Sequence, residues 1–294
     1  MTAAGVPGAQ TLTRRVTNVS GATGTFVASS SLAGGWSVAV SPASLTLADG
    51  ASGNFSVTLT RAGAPLNTWS FGSLTWSDGV HSVVSPLSAR AVGFLAPPEV
   101  SDTRASGSGT KVVSVVSAYT GTMSATATGL VPATRSLGSV VTNAVQCFDF
   151  SVAAGAQLAR FQLFAADTTA PDLDLTVFNG PGGTGATVGA SGGGTSDEVV
   201  TLAAPTAGTY SACVTGYDTG GANAAFVLNS WSVGPAVGAQ SLRVSVPSSV
   251  YAGGSASVAL GWSVTAGKRY LGNVKFFDNT AALIGSTVVF VDNH

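Results

Sequence analysis

Apolar and polar residues alternate with a period of two along most of the chain, and no long stretch carries the 3.6-residue spacing of an amphipathic helix. Trp36, Val38 and Val40 share one parity, as do Phe55, Val57 and Leu59, with Gly50 to Gly53 as the turn before the second set. Leu74 and Trp76 repeat the pattern. Ser77-Asp78-Gly79 then turns the chain into a strand through Val83 and Val84 that ends at Pro86. Glycine accepts the positive φ such a turn needs. Strands of about six residues at 8–12-residue spacing predict an all-β protein of tandem β-sandwich domains.

The same pattern divides the chain. A first sandwich spans 1–96, closed by Leu87, Ala89 and Ala91, and Pro97-Pro98 reads as a linker. A second, 97–238, carries eight candidate strands: Val112–Val116, Met123–Ala127, Cys147–Val152, Leu158–Phe164, Asp172–Phe178, Val199–Leu202, Thr209–Thr215 and Phe226–Val233. That number predicts a jelly-roll-like sandwich, with Gly180 to Gly194 as a long glycine-rich loop. The remainder, 239–294, predicts a small Ig-like module whose core would be marginal alone, so it should depend on other parts of the molecule.

Composition narrows the class. Only 9% of the 294 residues are charged, against roughly 25% in ordinary soluble domains, and 38 are glycine. Such a surface must be built from Ser, Thr, Asn, Gly and Ala, as in exported bacterial β-proteins. A net charge of −1 leaves no basic stripe for nucleic acid or an anionic membrane. No apolar run is long enough for a membrane helix. Residues 1–7 lack the charged and apolar regions of a signal peptide. The composition reads as exported, yet these residues carry no export signal.

Four blocks in the first 86 residues, Leu12–Val19, Trp36–Leu45, Gly50–Thr58 and Trp69–Pro86, resemble the fibronectin type III-like domain that follows the catalytic domain of subtilisin-like serine peptidases. The segments Asp172–Val177 and Ala207–Val214 resemble the bacterial pre-peptidase C-terminal modules. Residues 239–294 look like the last Ig-like module of some of these secreted enzymes. The resemblance implies an accessory region of a secreted peptidase whose precursor carries its signal, propeptide and catalytic domain upstream, so the chain is expected to be a C-terminal fragment or a truncated gene model. Its partners would be the catalytic domain of the same precursor and protein substrate, with no nucleic acid or membrane. A free-standing secreted adhesion or polymer-binding protein is the alternative, with carbohydrate binding by the second domain a third. An apolar docking surface on the first domain would leave the chain prone to self-association.

No catalytic residues are expected. Asp218-Thr219-Gly220 and Gly194-Thr195-Ser196 imitate subtilisin-like motifs, but Asp197-Glu198 leads into a strand where the serine motif would open a helix. No His-Gly-Thr supplies a base; the histidines are His81, read as a hydrogen-bonding residue of its hairpin or a contact to the catalytic domain, and His294. Cys147 and Cys213 predict one disulfide, each thiol lying opposite its strand's apolar residues. Closing that loop would contribute on the order of 4 kcal/mol. Asp172 and Asp174 share a strand face with Asp167 upstream; as hard oxygen ligands they form a candidate calcium site, supported by the resemblance to calcium-binding modules. The five tryptophans sit at core-compatible positions. Trp69 and Tyr217, near strand ends, are the candidates for presenting an aromatic surface to a partner.

Overall fold

The computed structural model describes residues 1–234 and 241–294. Among them the regular elements are β-strands and two 3-10 turns, arranged as three sandwiches. In the first, one sheet joins Thr2–Val6, Ser82–Ala91, Trp69–Ser77, Gly24–Leu32 and Ser44–Leu47. The facing sheet joins Ala9–Thr17, Ser52–Arg61 and Trp36–Ser41. Alternation decides what goes inside: Phe55, Val57 and Leu59 meet Leu74, Trp76, Leu87 and Ala89 in one core. Phe55 packs edge-on to Trp76, with ring centroids 5.1 Å apart.

The rest of the chain does not divide where the sequence pattern places its boundaries. Strands Phe94–Leu95, Ser108–Ser117, Leu242–Ser245 and Ser255–Ser263 share one sheet. Glu99–Thr103, Ser124–Pro132, Arg269–Phe277 and Leu283–Asp292 form the other. Residues 94–132 and 242–294 are therefore one Ig-like sandwich, with a second domain inserted between its halves. The sequence assigns Val112–Val116 and Met123–Ala127 to the wrong domain, because alternation reports which face is buried and not which partner covers it. Pro97-Pro98 lies inside this host sandwich rather than ahead of it, between Phe94–Leu95 and Glu99–Thr103. The boundary expected at 238/239 falls outside the described residues. The marginal module is completed by long-range pairing: Val113 opposes Val258 and Ala127 opposes Val274.

The inserted domain spans the strands from Thr134–Val140 to Ala224–Val233. Numbered within the domain, one sheet runs first, eighth, third, sixth, and the other second, seventh, fourth, fifth. This is a jelly roll of two four-stranded sheets. Its core gathers Phe161, Leu173, Leu175, Val177, Tyr210, Val214, Phe226 and Leu228. The strand Thr134–Val140 belongs to this domain, and its alternation of Leu137 with serines and glycine carries too little apolar signal to be read in advance. The glycine-rich stretch is also shorter than expected, since Thr187–Ser191 forms an edge strand beside Asp172–Phe178.

Host and insert are packed together. Leu158, Trp231 and Val233 of the insert meet Leu271 and Phe290 of the host. Two arginines cross the junction in opposite directions. Arg160 of the insert donates to both carboxylate oxygens of host Glu99, Nη1 at 3.1 Å. Host Arg269 donates to Asp167 of the insert and, from Nε, to Asp292 at 3.0 Å. Both guanidinium groups are buried, so each charge needs its partner.

Burial works against the ionised form of Glu99, but the hydrogen bonds and charge of Arg160 outweigh it and hold the carboxyl below its ordinary 4.5. A depressed carboxyl stabilises the fold above its unfolded pKa, and that contribution is lost as pH falls through the folded value. Glu99→Gln should therefore cost about 1–2 kcal/mol at pH 7 and little in acid, read from urea unfolding at the two pH values. Residues 239–294 expressed alone should be unfolded by circular dichroism, whereas 93–294 should melt cooperatively.

Candidate functional site

The chemistry expected from the sequence is distributed over all three domains. Cys147 and Cys213 sit directly opposite on neighbouring antiparallel strands and are joined by a disulfide, 66 residues apart in sequence. Tyr210, Ala212 and Val214 point into the jelly-roll core, so the sulfurs lie on the outer face, as parity predicts. A cap covers them. Residues Pro181–Gly183 form a 3-10 turn held by hydrogen bonds from Gly183 N–H to Ser211 Oγ (2.8 Å) and from Gly182 N–H to Asp149 Oδ1 (2.7 Å). Ser211 in turn donates to the Gly180 carbonyl at 2.7 Å. Gly183 has a φ of 77°, and a methyl group there would sit 3.1 Å from both sulfurs. Only glycine fits that position without displacing the cap. Replacing both cysteines by alanine should cost about 3–4 kcal/mol, measured by urea unfolding with fluorescence and circular dichroism in parallel.

The acidic residues separate. Asp167 ends a 3-10 turn and is paired with Arg269 across the domain junction. It is therefore not available beside Asp172 and Asp174, and the three do not form the ligand set the sequence predicts. Sequence spacing cannot foresee this, because Arg269 comes from another domain. Asp172 is buried, and its Oδ1 has no hydrogen-bond partner among the described residues. Desolvation, followed by the charges of Asp172 and Glu198, pushes the Asp174 carboxyl above its ordinary value. Glu198 accepts from the Gly193 N–H at 2.7 Å and from Ser191. Among the described residues, no three His, Cys, Asp or Glu side chains are grouped to hold a metal ion.

No catalytic constellation forms among the described residues. Ser196 is fully buried and donates to the Ala170 carbonyl at 2.8 Å. Asp218 accepts from Gly220 N–H within its own turn. Both histidines are in other domains. His81 belongs to the first-domain hairpin, where Nδ1 lies 3.0 Å from Asp78 Oδ2. Hydrogen bonds from the backbone and ring of His81, then from Val80 N–H, hold the Asp78 carboxyl far below the usual range. His81 thus helps to fasten a turn.

Trp76, Trp231 and Trp262 are buried and Trp36 is partly so, while Trp69 is 40% exposed on the outer face of the first sandwich. Phe71, 67% exposed, stacks beside it at 6.4 Å, and the Arg90 guanidinium lies 5.5 Å from the Trp69 ring. Phe71 was legible in the sequence, since it shares the parity of Trp69 and opposes that of Leu74 and Trp76. Tyr217 is 68% exposed but belongs to the jelly roll, so the structure puts the two aromatic candidates on different domains. At one end of the first sandwich, Val19, Phe26, Trp76, His81 and Val83 line a hollow of about 260 Å³. Val19, Val80 and Val83 leave apolar surface exposed at that end.

Two domain families match the chain. Residues 1–89 match a fibronectin type-III domain, and residues 144–216 match the bacterial pre-peptidase C-terminal domain. The second match falls wholly inside the inserted jelly roll. The first domain is thus fibronectin type III-like and the insert is of the pre-peptidase C-terminal type, both non-catalytic kinds of domain. No curated protein matches the chain. Among solved structures, the secreted serine protease VesC from Vibrio cholerae is 13% identical with a TM-score of 0.25, covering 79% of this chain. The chain spans 49% of that protease. The CupB2 chaperone of Pseudomonas aeruginosa is 9% identical at a TM-score of 0.21, covering 95% of this chain and 91% of its own. The C-terminal domain of the AgI/II polypeptide BspA from Streptococcus agalactiae is 9% identical at 0.15, covering 97% and 84%. Likenesses at this level do not bear on function.

Proposed function

We propose that the chain is a non-catalytic accessory region from the C-terminal side of a secreted subtilisin-like serine endopeptidase, where it stabilises the catalytic domain and holds protein substrate nearby. One observation carries the reading: a fibronectin type-III domain followed, in the same chain, by a domain of the family named for its place after peptidase precursors. The disulfide and the charge-poor surface fit an oxidising, extracellular setting. The exposed valines around the first-domain hollow are the surface that would meet the catalytic domain. Tethering raises the effective concentration of substrate at an active site without new catalytic contacts.

The test is the reading frame upstream of Met1. An in-frame series of Asp-Thr-Gly, His-Gly-Thr and Gly-Thr-Ser-Met-Ala motifs is expected. A stop codon followed by a signal peptide close to Met1 would instead identify a free-standing secreted binder.

Calcium belongs to the proposal on narrower grounds than the sequence gave it, namely the partnerless Asp172 oxygen and the repulsion felt by Asp174. A raised carboxyl stabilises least when ionised, so its penalty grows as pH rises through the folded value. Asp174→Asn should raise Tm at pH 7 and leave it nearly unchanged in acid. Calcium should raise the wild-type Tm and not that of the variant. An unchanged wild-type Tm removes calcium from the proposal.

A further inference from the structure

The two sulfurs of the jelly-roll disulfide have different surroundings, and strand order is the reason. Their sheet runs Val145–Val152, Gly208–Asp218, Asp172–Phe178, Thr187–Ser191. Cys147 therefore stands on an edge strand and Cys213 on an inner one. Register sets Cys147, Cys213, Thr176 and Ala190 in one row across the outer face. Paired residues of a ladder project to the same side of the sheet. Beyond Cys213 the row continues with the β-branched side chain of Thr176; beyond Cys147 the sheet ends. Cys213 is only 3% exposed, whereas Cys147 is half-buried.

The glycine cap sharpens the difference. It leaves the inner strand after Phe178, crosses the strand of Cys213, and touches the edge strand with its tip, where Gly182 N–H donates to Asp149. Asp149, Ser211 and Phe178 form the row next to the cysteines, and Ser211 is fully buried beneath the cap. Gly183 sits over the sulfurs themselves. A thiolate displaces a disulfide sulfur in line, from the side opposite the departing sulfur, so access along the S–S axis decides which sulfur reacts. The line to Cys213 runs through Thr176. The line to Cys147 comes from beyond the edge strand, where its sheet has no further strand and which the cap, seated above, does not cross.

We infer that Cys147 Sγ is a thiol-exchange site for a low-molecular-weight thiol. The incoming thiolate bonds to Cys147 Sγ, and the bond to Cys213 Sγ breaks. Cys213 departs with the electron pair and takes up the proton that the external thiol gave up. One S–S bond is lost and one is made, so no further oxidant or reductant is needed. Strand pairing keeps Cys213 directly opposite Cys147, where it attacks the mixed disulfide and expels the thiol again. The modification is thus reversible and builds up only in excess thiol. The inference rests on sheet order and register and stands apart from the peptidase reading.

The test incubates the oxidised chain with excess glutathione at about pH 8, where thiolate is populated. Samples are quenched in acid at early times, and the mixed disulfide is mapped on peptic fragments by mass spectrometry. Adducts on Cys147 should outnumber those on Cys213 by on the order of tenfold. Their rate should not rise in low urea, because the fold need not open. Thr176→Ala clears the inner approach and should raise the share on Cys213 several-fold. Equal adducts on the two cysteines, a majority on Cys213, or an unmoved share in Thr176→Ala would overturn the inference. So would a reaction seen only when denaturant unfolds the chain, which is the behaviour of a purely structural disulfide.

Discussion

The pairing of strands from opposite sides of the jelly roll holds the C-terminal two thirds of this protein together. Ser108–Ser117 is hydrogen-bonded to Ser255–Ser263, and Ser124–Pro132 to Arg269–Phe277, each across more than a hundred residues. Neither half could bury its own apolar face. Val113, Val115 and Met123 need Val258, Leu260 and Phe276 opposite them, and Trp262 and Tyr270 complete the core. The whole insert is thus a loop whose closure the host core must stabilise. Loop-closure entropy grows slowly with length, so a folded domain in that loop adds little cost beyond a short one.

The junction makes the insert more than a passenger. Apolar contacts around Trp231 and Phe290 are reinforced by the crossing pairs of Arg160 with Glu99 and Arg269 with Asp167. A buried ion pair adds little net stability by itself, but losing one partner leaves an uncompensated charge. Such pairs specify one relative orientation of the two sandwiches, and the Arg269 side chain, lying 3.7 Å from the Phe164 ring centre, adds packing to the same contact. The site chemistry is shaped by this arrangement too. Asp167 serves the junction and so is not a ligand beside Asp172 and Asp174.

Much of this was legible in the residues. Period-two alternation located the strands with a strongly apolar buried face, because such a strand must alternate whatever covers it, but not Thr2–Val6, Gly24–Leu32, Glu99–Thr103, Thr134–Val140 or Thr187–Ser191. The same parity placed both cysteines on the outer face, whereas Trp69, read with the other tryptophans as core-compatible, lies exposed. Turn chemistry marked the Asp78 hairpin, where the side chain caps the backbone locally. The decoy motifs at Ser196 and Asp218 could be dismissed from their neighbours alone, for similar local reasons.

What the amino-acid sequence determined by itself was therefore everything that depends on near neighbours: the all-β class, strand parity, turns, the outward thiols and the charge-poor surface. Only the tertiary structure decided partnership. It assigned residues 94–132 to the C-terminal sandwich, gave Asp167 to Arg269, and seated a glycine cap on the disulfide. The physical reason is that a strand's hydrogen-bonding edge is nearly the same for any partner. Selection among partners comes from packing and charge summed over distant residues, and no local pattern records that sum.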